Sequence, residues 1–269
     1  MLKSYGVIGE KLGHSLSPII HEKFFKKTGF SGTYNLFEVR REDLKDVVKA
    51  MKVLGIKGAN VTIPYKIDIM KYLDELSPEA KKIGAVNTIT IDENRAIGSN
   101  TDYYGFGMAL ENHNVELKGK VAVILGTGGA SRAVSQYLLD QGIGELIFVS
   151  RDYQKAKEKY SGFRIISYQD LHSIDGDILI NCTPVGMYPN TDVSPVDAAL
   201  LKQFKVVVDI VYNPKQTLLI KNALEMGLYA INGLDMLVCQ APKAQELWNK
   251  TVIDKKIIDE VLFEADKEM

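Results

Sequence analysis

Residues 121–133 read VAVILGTGGASRA, and this stretch decides the fold. Its first five residues are all apolar, as expected of a parallel strand that is buried on both faces. A glycine-rich turn follows, in which Gly126 allows a tight turn and Gly128 lets the backbone approach a pyrophosphate, while the small Ser131 lets the next helix pack on the strand. Because a helix N-terminus also offers free N–H groups to phosphate, the stretch predicts a dinucleotide-binding unit.

Similar patterns extend on both sides of this unit. Apolar runs recur at 145–149, 177–180 and 206–210, separated by helix-length stretches, and they predict an open parallel sheet over roughly residues 119–234. The first hundred residues also alternate β-like runs with helical patterns, and the tail from Leu234 is helical in pattern throughout. The chain is therefore predicted to be α/β and to consist of two units.

Composition excludes several classes of protein. The chain has 269 residues, of which 46% are hydrophobic and 25% charged, and its formal net charge is -1, so a nucleic-acid or anionic-membrane partner is not expected. Cys182 and Cys239 are too few for a disulfide framework and lack metal-ligand spacing. With no signal-peptide pattern and no apolar run near the roughly 18 residues of a membrane helix, a cytoplasmic protein is expected.

Polar residues at the ends of predicted elements are candidates for a binding site. Ser15 and Ser17 place two hydroxyls at a helix start, which suits a substrate carboxylate, although Ser17 is equally explained as the N-cap before Pro18. Residues 60–66, NVTIPYK, end a strand on the side where open α/β sheets bind ligands. A lone lysine such as the one in this motif is usually exposed, and Asp102 is open to interpretation as a helix cap.

The nucleotide preference depends on the residues after the strand at 146–149. There the chain reads Ser150-Arg151-Asp152, and an arginine beside a hydroxyl suits the 2′-phosphate of NADP. Asp152 either repels that phosphate, holds a ribose hydroxyl as in NAD enzymes, or caps the predicted helix at 153–160.

Eight motifs, in order along the chain, resemble a single family. They are SLSP at 15–18, NVTIPYK at 60–66, GAVNT at 84–88, NTD at 100–102, GTGGA at 126–130, NCTPVGM at 181–187, DIVYNP at 209–214 and GLDMLVCQ at 233–240. Together they are similar to the shikimate dehydrogenase family over nearly the whole chain. The resemblance implies an enzyme that reversibly reduces 3-dehydroshikimate to shikimate with NADPH in chorismate and aromatic amino-acid biosynthesis, without a metal.

The resemblance also implies the domain organisation and the role of individual residues. Residues 1–104 and 235–269 would form the substrate-binding domain, and residues 105–234 a Rossmann-like, doubly wound NADP-binding domain, with the active site in the cleft between them. Lys66 and Asp102 would form the catalytic pair. The implied substrate-binding residues are Ser15, Ser17, Thr62, Asn87, Asp102, Tyr212 and Gln240. The implied cofactor-binding residues are Gly126, Thr127, Gly128, Gly129, Ala130, Ser150, Arg151, Thr183, Val211 and Gly233.

Two alternatives stay open at this point. The family pattern after the second Rossmann strand is closer to Asn-Arg-Thr than to Ser150-Arg151-Asp152, so a quinate/shikimate dehydrogenase that accepts NAD is the enzyme alternative. A non-catalytic protein that senses a nucleotide or metabolite is the alternative from another class, and the intact Lys66 and Asp102 argue against it. The expected partner is a small-molecule substrate, and the chain is expected to be a monomer or homodimer.

Overall fold

The computed structural model describes residues 2–13 and 15–268. The chain divides into two compact units, one formed by residues up to Met108 together with those from Leu237 onward, the other by Ala109–Met236. The division at 104/105 and 234/235 into a substrate domain and a cofactor domain stays a prediction.

The first unit is built on a mixed six-stranded sheet. Its elements are β1 (Lys3–Gly9), α1 (Ser17–Thr28), β2 (Gly32–Glu38), α2 (Leu44–Leu54), β3 (Gly58–Val61), β4 (Glu75–Leu76), α3 (Pro78–Ile83), β5 (Thr88–Asp92), β6 (Arg95–Ser99) and α4 (Asp102–Asn112). The strand order is β2-β1-β3-β5-β6-β4, in which β1 runs parallel to β2 and β3, whereas β5 is antiparallel to β3 and β6. The tail adds α8 and α9, which are bounded below.

The core of the first unit follows from the helix and strand patterns. Helix α2 buries Leu44, Val48 and Met51 along one face, and these side chains pack with Ile8 and Val61 of the sheet. The hairpin between β5 and β6 turns at Glu93 and Asn94, which both have positive φ, as a tight two-residue hairpin turn requires.

The second unit is an all-parallel six-stranded sheet among the described residues. Its elements are β7 (Val121–Leu125), α5 (Gly129–Asp140), β8 (Glu145–Val149), α6 (Tyr153–Lys159), β9 (Arg164–Ile166), β10 (Ile178–Asn181), β11 (Val206–Asp209), α7 (Leu218–Glu225) and β12 (Tyr229–Ile231). The strand order β9-β8-β7-β10-β11-β12 corresponds to 3-2-1-4-5-6 of the doubly wound dinucleotide-binding fold. The predicted α/β fold with a Rossmann-like sheet is confirmed.

Two expectations about local structure are wrong in detail. The tail is not helical throughout, because α8 (Leu234–Asn249) and α9 (Lys255–Glu268) are separated by an irregular segment in which Lys250 has a φ of 51°. The sheet of the second unit has two strands, β9 and β12, that were not predicted, since each is only three residues long and too short to show a strand pattern. Among the helices of residues 2–13 and 15–268, none combines the length and apolarity needed to cross a membrane.

Candidate functional site

Lys66 and Asp102 form a close ion pair in the first unit. Lys66 Nζ lies 2.5 Å from Asp102 Oδ2, and the two side chains are only 14% and 9% exposed. Lys66 lies in the segment after β3, where its carbonyl accepts a hydrogen bond from the Val86 backbone N–H, and Asp102 is the first residue of α4. The lysine is therefore not the solvated surface residue that is most common for this type.

Asn87 holds the carboxylate of this pair from the other side. Asn87 Nδ2 donates to Asp102 Oδ1 over 2.8 Å, and Asn87 Oδ1 accepts from the Thr101 backbone N–H over 2.6 Å. Thr101 Oγ1 in turn donates to Gln240 Oε1 of α8 over 3.2 Å. The structure thus brings four of the predicted residues into one buried hydrogen-bonded cluster, which also includes Thr101.

The serines lie at the start of α1. The interpretation of Ser17 as the N-cap is wrong, because the helix begins at Ser17 itself and Leu16 occupies the N-cap position without a side-chain cap. Instead, Ser15 Oγ accepts a hydrogen bond from the Ser17 backbone N–H over 3.3 Å. Both hydroxyls are half-buried. Thr62, directly after β3, is also half-buried, and its backbone N–H donates to Ile8.

Sequence reasoning assigned no functional role to Tyr34, Thr88 and Thr101, and it noted Asn60 only as part of a motif. All four are buried and hydrogen-bonded to predicted site residues or to one another. For Asn60 and Thr88, the signal is a polar residue beside apolar residues of a strand, since buried polar side chains need partners. Tyr34 and Thr101 carry no such signal.

The glycine-rich turn follows β7 as predicted. Gly126 has a φ of 94°, and a Cβ there would come within 2.7 Å of Thr183 Cγ2. Gly128 stands at the N-cap of α5, and a Cβ on it would meet no heavy atom within 4 Å. Open space beside the free N–H groups of a helix N-terminus is the local geometry that a phosphate group needs.

Two side chains support the turn, Lys159 of α6 and Ser131 of α5. Lys159 Nζ donates to the Thr127 carbonyl, and Ser131 Oγ donates to the Gly128 carbonyl over 2.8 Å. Ser131 also shares a 2.8 Å hydrogen bond with the Tyr160 hydroxyl. Burial, together with the positive charges of neighbouring basic side chains, lowers the pKa of Lys159. Positive charge therefore accumulates next to the turn, and Lys159 was not among the residues predicted from the sequence.

The residues after β8 have separate tasks. Asp152 is the N-cap of α6, because its Oδ1 accepts from the Lys155 backbone N–H over 3.1 Å, which confirms the capping interpretation. Ser150 Oγ accepts from the Asp152 backbone N–H over 3.2 Å and is buried. Arg151 is exposed between them. The carboxylate and the serine hydroxyl are thus engaged with the local backbone, whereas the guanidinium faces solvent.

The ends of β10 and β11 are fixed by a buried carboxylate. Asp209 is fully buried, and its Oδ1 accepts from Asn181 Nδ2 over 2.9 Å and from the Val211 backbone N–H over 3.1 Å. Asn181 Oδ1 accepts from Thr183 Oγ1 over 2.6 Å. Burial raises the pKa of Asp209 to about 6, against the effect of these hydrogen bonds and one from Thr217. Thr183 and Val211 are therefore held at the carboxyl edge of the sheet, where open parallel sheets bind ligands.

Gly233 and Tyr212 complete the predicted residues of the second unit. The Gly233 backbone N–H donates to the Val211 carbonyl over 3.2 Å, and a Cβ on Gly233 would lie 2.2 Å from the Ile210 carbonyl oxygen. No side chain larger than hydrogen fits there without a backbone shift. Tyr212 is half-buried, and burial raises the pKa of its hydroxyl. Over the part of the chain that the structure describes, no three histidine, cysteine or acidic side chains come together as a metal site would need.

Comparisons with known proteins identify the family. Residues 7–89 match the model of the shikimate dehydrogenase substrate binding domain. A shikimate dehydrogenase (NADP(+)) of Clostridium perfringens (strain 13 / Type A) is 49% identical over 263 residues, which are 97% of each chain.

Solved structures give the same result. Shikimate dehydrogenase 1 of Peptoclostridium difficile is 46% identical with a TM-score of 0.92 and covers 99% of both chains. Shikimate 5-dehydrogenase of Thermus thermophilus, in complex with NADP(H) and shikimate, is 34% identical with a TM-score of 0.87, and the match covers 98% of this chain and 100% of that one. The chain therefore belongs to the shikimate dehydrogenase family.

Proposed function

We propose that the chain is a shikimate dehydrogenase that interconverts 3-dehydroshikimate and shikimate with NADP(H). The observation that carries this proposal is the buried Lys66–Asp102 pair, 2.5 Å apart and held by Asn87, in a chain 49% identical to a relative named shikimate dehydrogenase (NADP(+)). We assign substrate binding to residues 1–104 with 235–269 and cofactor binding to residues 105–234. The substrate is a small molecule, as in the Thermus thermophilus complex with shikimate.

The chemistry explains why this pair suits a ketone reduction. NADPH supplies a hydride to the carbonyl carbon when it is bound. The oxygen then gains negative charge, and Lys66 as an ammonium group stabilises that charge and donates the proton that completes the alcohol. Asp102 fixes the position of the ammonium group and offers its carboxylate to a ring hydroxyl. In the reverse direction, Lys66 takes the proton from the alcohol.

The residues of the second unit fit a bound dinucleotide. Gly128 has open space at the N-terminus of α5, and Lys159 adds positive charge beside the turn. Arg151 is exposed and can pair with a 2′-phosphate, and Asp152 is occupied as a helix cap, which supports NADP over NAD. In this proposal Ser150 does not bind the phosphate itself; its hydrogen bond with the Asp152 backbone holds the turn that carries Arg151. We assign contacts along the dinucleotide to Gly126–Ala130, Thr183, Val211 and Gly233.

The substrate side is assigned by chemistry. We propose that Ser15 and Ser17 bind the carboxylate, because hydroxyls at a helix start suit an anion. Thr62, Asn87, Tyr212 and Gln240 would bind or orient the ring hydroxyls. We further propose that the protein acts in the cytoplasm as a monomer or homodimer.

Turnover assays with two substrates and two cofactors test this function. The purified protein is incubated with shikimate or quinate and with NADP+ or NAD+, and formation of the reduced nicotinamide is followed by absorbance. Turnover with shikimate and NADP+ is expected to dominate. Comparable rates with quinate and NAD+ would instead assign the quinate/shikimate branch, and binding without any turnover would assign a sensor.

A lysine variant tests the mechanism. Lys66→Met keeps the length of the side chain but removes the proton donor, and we expect kcat to fall by about 100-fold or more, with shikimate binding retained in calorimetry. Lys71→Met is the matched control, because Lys71 belongs to the same unit and its side chain is 69% exposed. Near-normal turnover by Lys66→Met would refute the role of Lys66.

A further inference from the structure

A line of buried polar side chains runs through the first unit from β2 to α4. Tyr34 on β2 is 5% exposed, and its hydroxyl lies 2.7 Å from Asn60 Oδ1. Asn60 Nδ2 is 3.0 Å from Thr88 Oγ1, which is 3.0 Å from Asn87 Oδ1. Asn87 Nδ2 is 2.8 Å from Asp102 Oδ1. The line therefore connects a tyrosine of the core, step by step, with the carboxylate of the catalytic pair.

Backbone groups fix the direction of the hydrogen bonds that the two asparagine amides make in this line. Asn60 Nδ2 also contacts the Asn87 backbone carbonyl at 3.3 Å, which only accepts, so Asn60 Oδ1 faces Tyr34 and the phenol donates. Asn87 Oδ1 accepts from the Thr101 backbone N–H, so its Nδ2 faces Asp102. Thr88 Oγ1 accepts from Asn60 Nδ2 and has two acceptors for its O–H at 3.0 Å, Asn87 Oδ1 and Thr101 Oγ1. When Thr88 donates to Asn87, each member of the line donates to the next one toward the carboxylate. Hydrogen bonds aligned in this way polarise and strengthen one another.

Tyr34 itself is held in place by an aromatic neighbour. The ring of His21 stacks on Tyr34 with the centroids 4.1 Å apart and the planes at 10°. His21 is completely buried, and burial lowers its pKa to about 3, so it packs as a neutral ring at neutral pH. Tyr34 is thus fixed by stacking on His21 and stands at the start of the line to Asp102.

We propose that Tyr34 is a positioning residue for the reaction, acting through Asn60, Thr88 and Asn87 on the orientation of Asp102. The inference rests on the proposed function, because it assigns Tyr34 to the same reaction. The phenol hydroxyl supplies the first donor of the chain, and without it Asn60 Oδ1 has no partner from β2. The Asn60 amide then gains freedom to turn, and the later members lose the alignment that holds the carboxylate beside Lys66.

The first experiment compares two tyrosine variants in steady-state kinetics with shikimate and NADP+. Tyr34→Phe removes the hydroxyl and keeps the ring that stacks on His21. We expect kcat to fall about fivefold, the effect of one lost hydrogen bond, and the KM for NADP+ to stay within about twofold.

Tyr5→Phe is the matched control. Tyr5 is 1% exposed in the same unit, and its hydroxyl donates to an amide oxygen, Asn249 Oδ1, over 3.1 Å. This hydrogen bond belongs to a separate contact with the tail. Both variants are expected to lower the thermal unfolding midpoint, whereas only Tyr34→Phe is expected to lower kcat.

The second experiment tests whether Tyr34 acts through the chain. Thr88→Val removes the hydroxyl in the middle, and the double variant with Tyr34→Phe completes a mutant cycle. If the chain transmits the effect, the double variant loses no more activity than the more impaired single variant. Two results would overturn the inference, provided that the unaltered chain still turns over shikimate. One is a kcat of Tyr34→Phe equal to that of Tyr5→Phe. The other is a double variant in which the kcat losses of the two single variants multiply. Absence of turnover by the unaltered chain would overturn the proposed function as well, so the two failures are distinguishable.

Discussion

Replacing Asp209 by asparagine removes a completely buried carboxylate at the end of β11. The two oxygens accept hydrogen bonds from Asn181, Val211 and Thr217, but burial dominates and raises the pKa of Asp209 from 3.8 to about 6. An acid with a raised pKa in the folded chain favours folding while it is protonated. The stability it contributes is fully present below its unfolded pKa near 3.8 and is lost as the pH rises through about 6.

The magnitude follows from the difference between the two pKa values. About two pKa units, at about 1.4 kcal/mol each, correspond to about 3 kcal/mol of unfolding free energy. The second unit of the unaltered protein should lose this amount between about pH 4 and pH 6, relative to Asp209→Asn. The asparagine also changes the hydrogen bond with Thr217, but this loss does not depend on pH. The test is therefore how the difference in unfolding free energy between the unaltered protein and Asp209→Asn changes with pH.

The assay must report on the second unit. The single tryptophan, Trp248, lies in the tail that joins the first unit, so its fluorescence does not serve. We suggest equilibration in urea at several pH values, followed by a pulse of hydrogen exchange that is read by mass spectrometry on peptides from β7, β10 and β11. If the urea midpoints of the unaltered protein and of Asp209→Asn change by the same amount between about pH 4 and pH 6, the reasoning is refuted.

Three further predictions concern the glycine-rich turn. Lys159→Met removes the hydrogen-bond donor to the Thr127 carbonyl and a positive charge beside the turn, and it should raise the KM for NADP+ about tenfold. The control, Lys157→Met on the exposed side of α6, should leave this KM unchanged. Equal KM values for the two variants would contradict the role of Lys159. Gly126→Ala, forced to a φ of 94° and into contact with Thr183, should lower the unfolding free energy by about 1–3 kcal/mol in urea titrations. Gly128→Ala should preserve stability and weaken NADP+ binding in calorimetry, and unchanged binding would show that no phosphate lies there.

The parts of the fold that the sequence predicts are those determined by local pattern. Residues 121–125 and the turn at Gly126 could be predicted because strand, glycine and helix start are adjacent in the chain. The strand partners in the first sheet could not, because the pairing of β3 with β5 and of β4 with β6 depends on contacts between distant segments. Short strands such as β12 have too few residues to show a pattern.

The candidate site shows the same limit. Lys66 and Asp102 were linked only by resemblance, since a separation of 36 positions in the sequence does not indicate how far apart two side chains lie in the fold. Tyr34 lies in a strand whose pattern explains an aromatic residue without any role for its hydroxyl. Only the folded chain shows that this hydroxyl faces Asn60. Hydrogen-bond chains are tertiary features, and a single sequence carries just the hint that polar residues lie within apolar strands.

The discontinuous first unit has a consequence for synthesis of the protein. The second unit is one continuous stretch of the chain, whereas the first unit includes the C-terminal tail. From the tail, Gln240 accepts a hydrogen bond from Thr101, and the Trp248 indole N–H donates to the Ile89 carbonyl. Glu264 of the tail also forms ion pairs with Lys23 and Lys27. Because domains fold as units during translation, the sheet of the second unit can form on the ribosome before the sheet that precedes it in the chain is complete. The residues made first are thus among the last to reach their final packing, and chaperones have the longest access to the half of the molecule that carries Lys66.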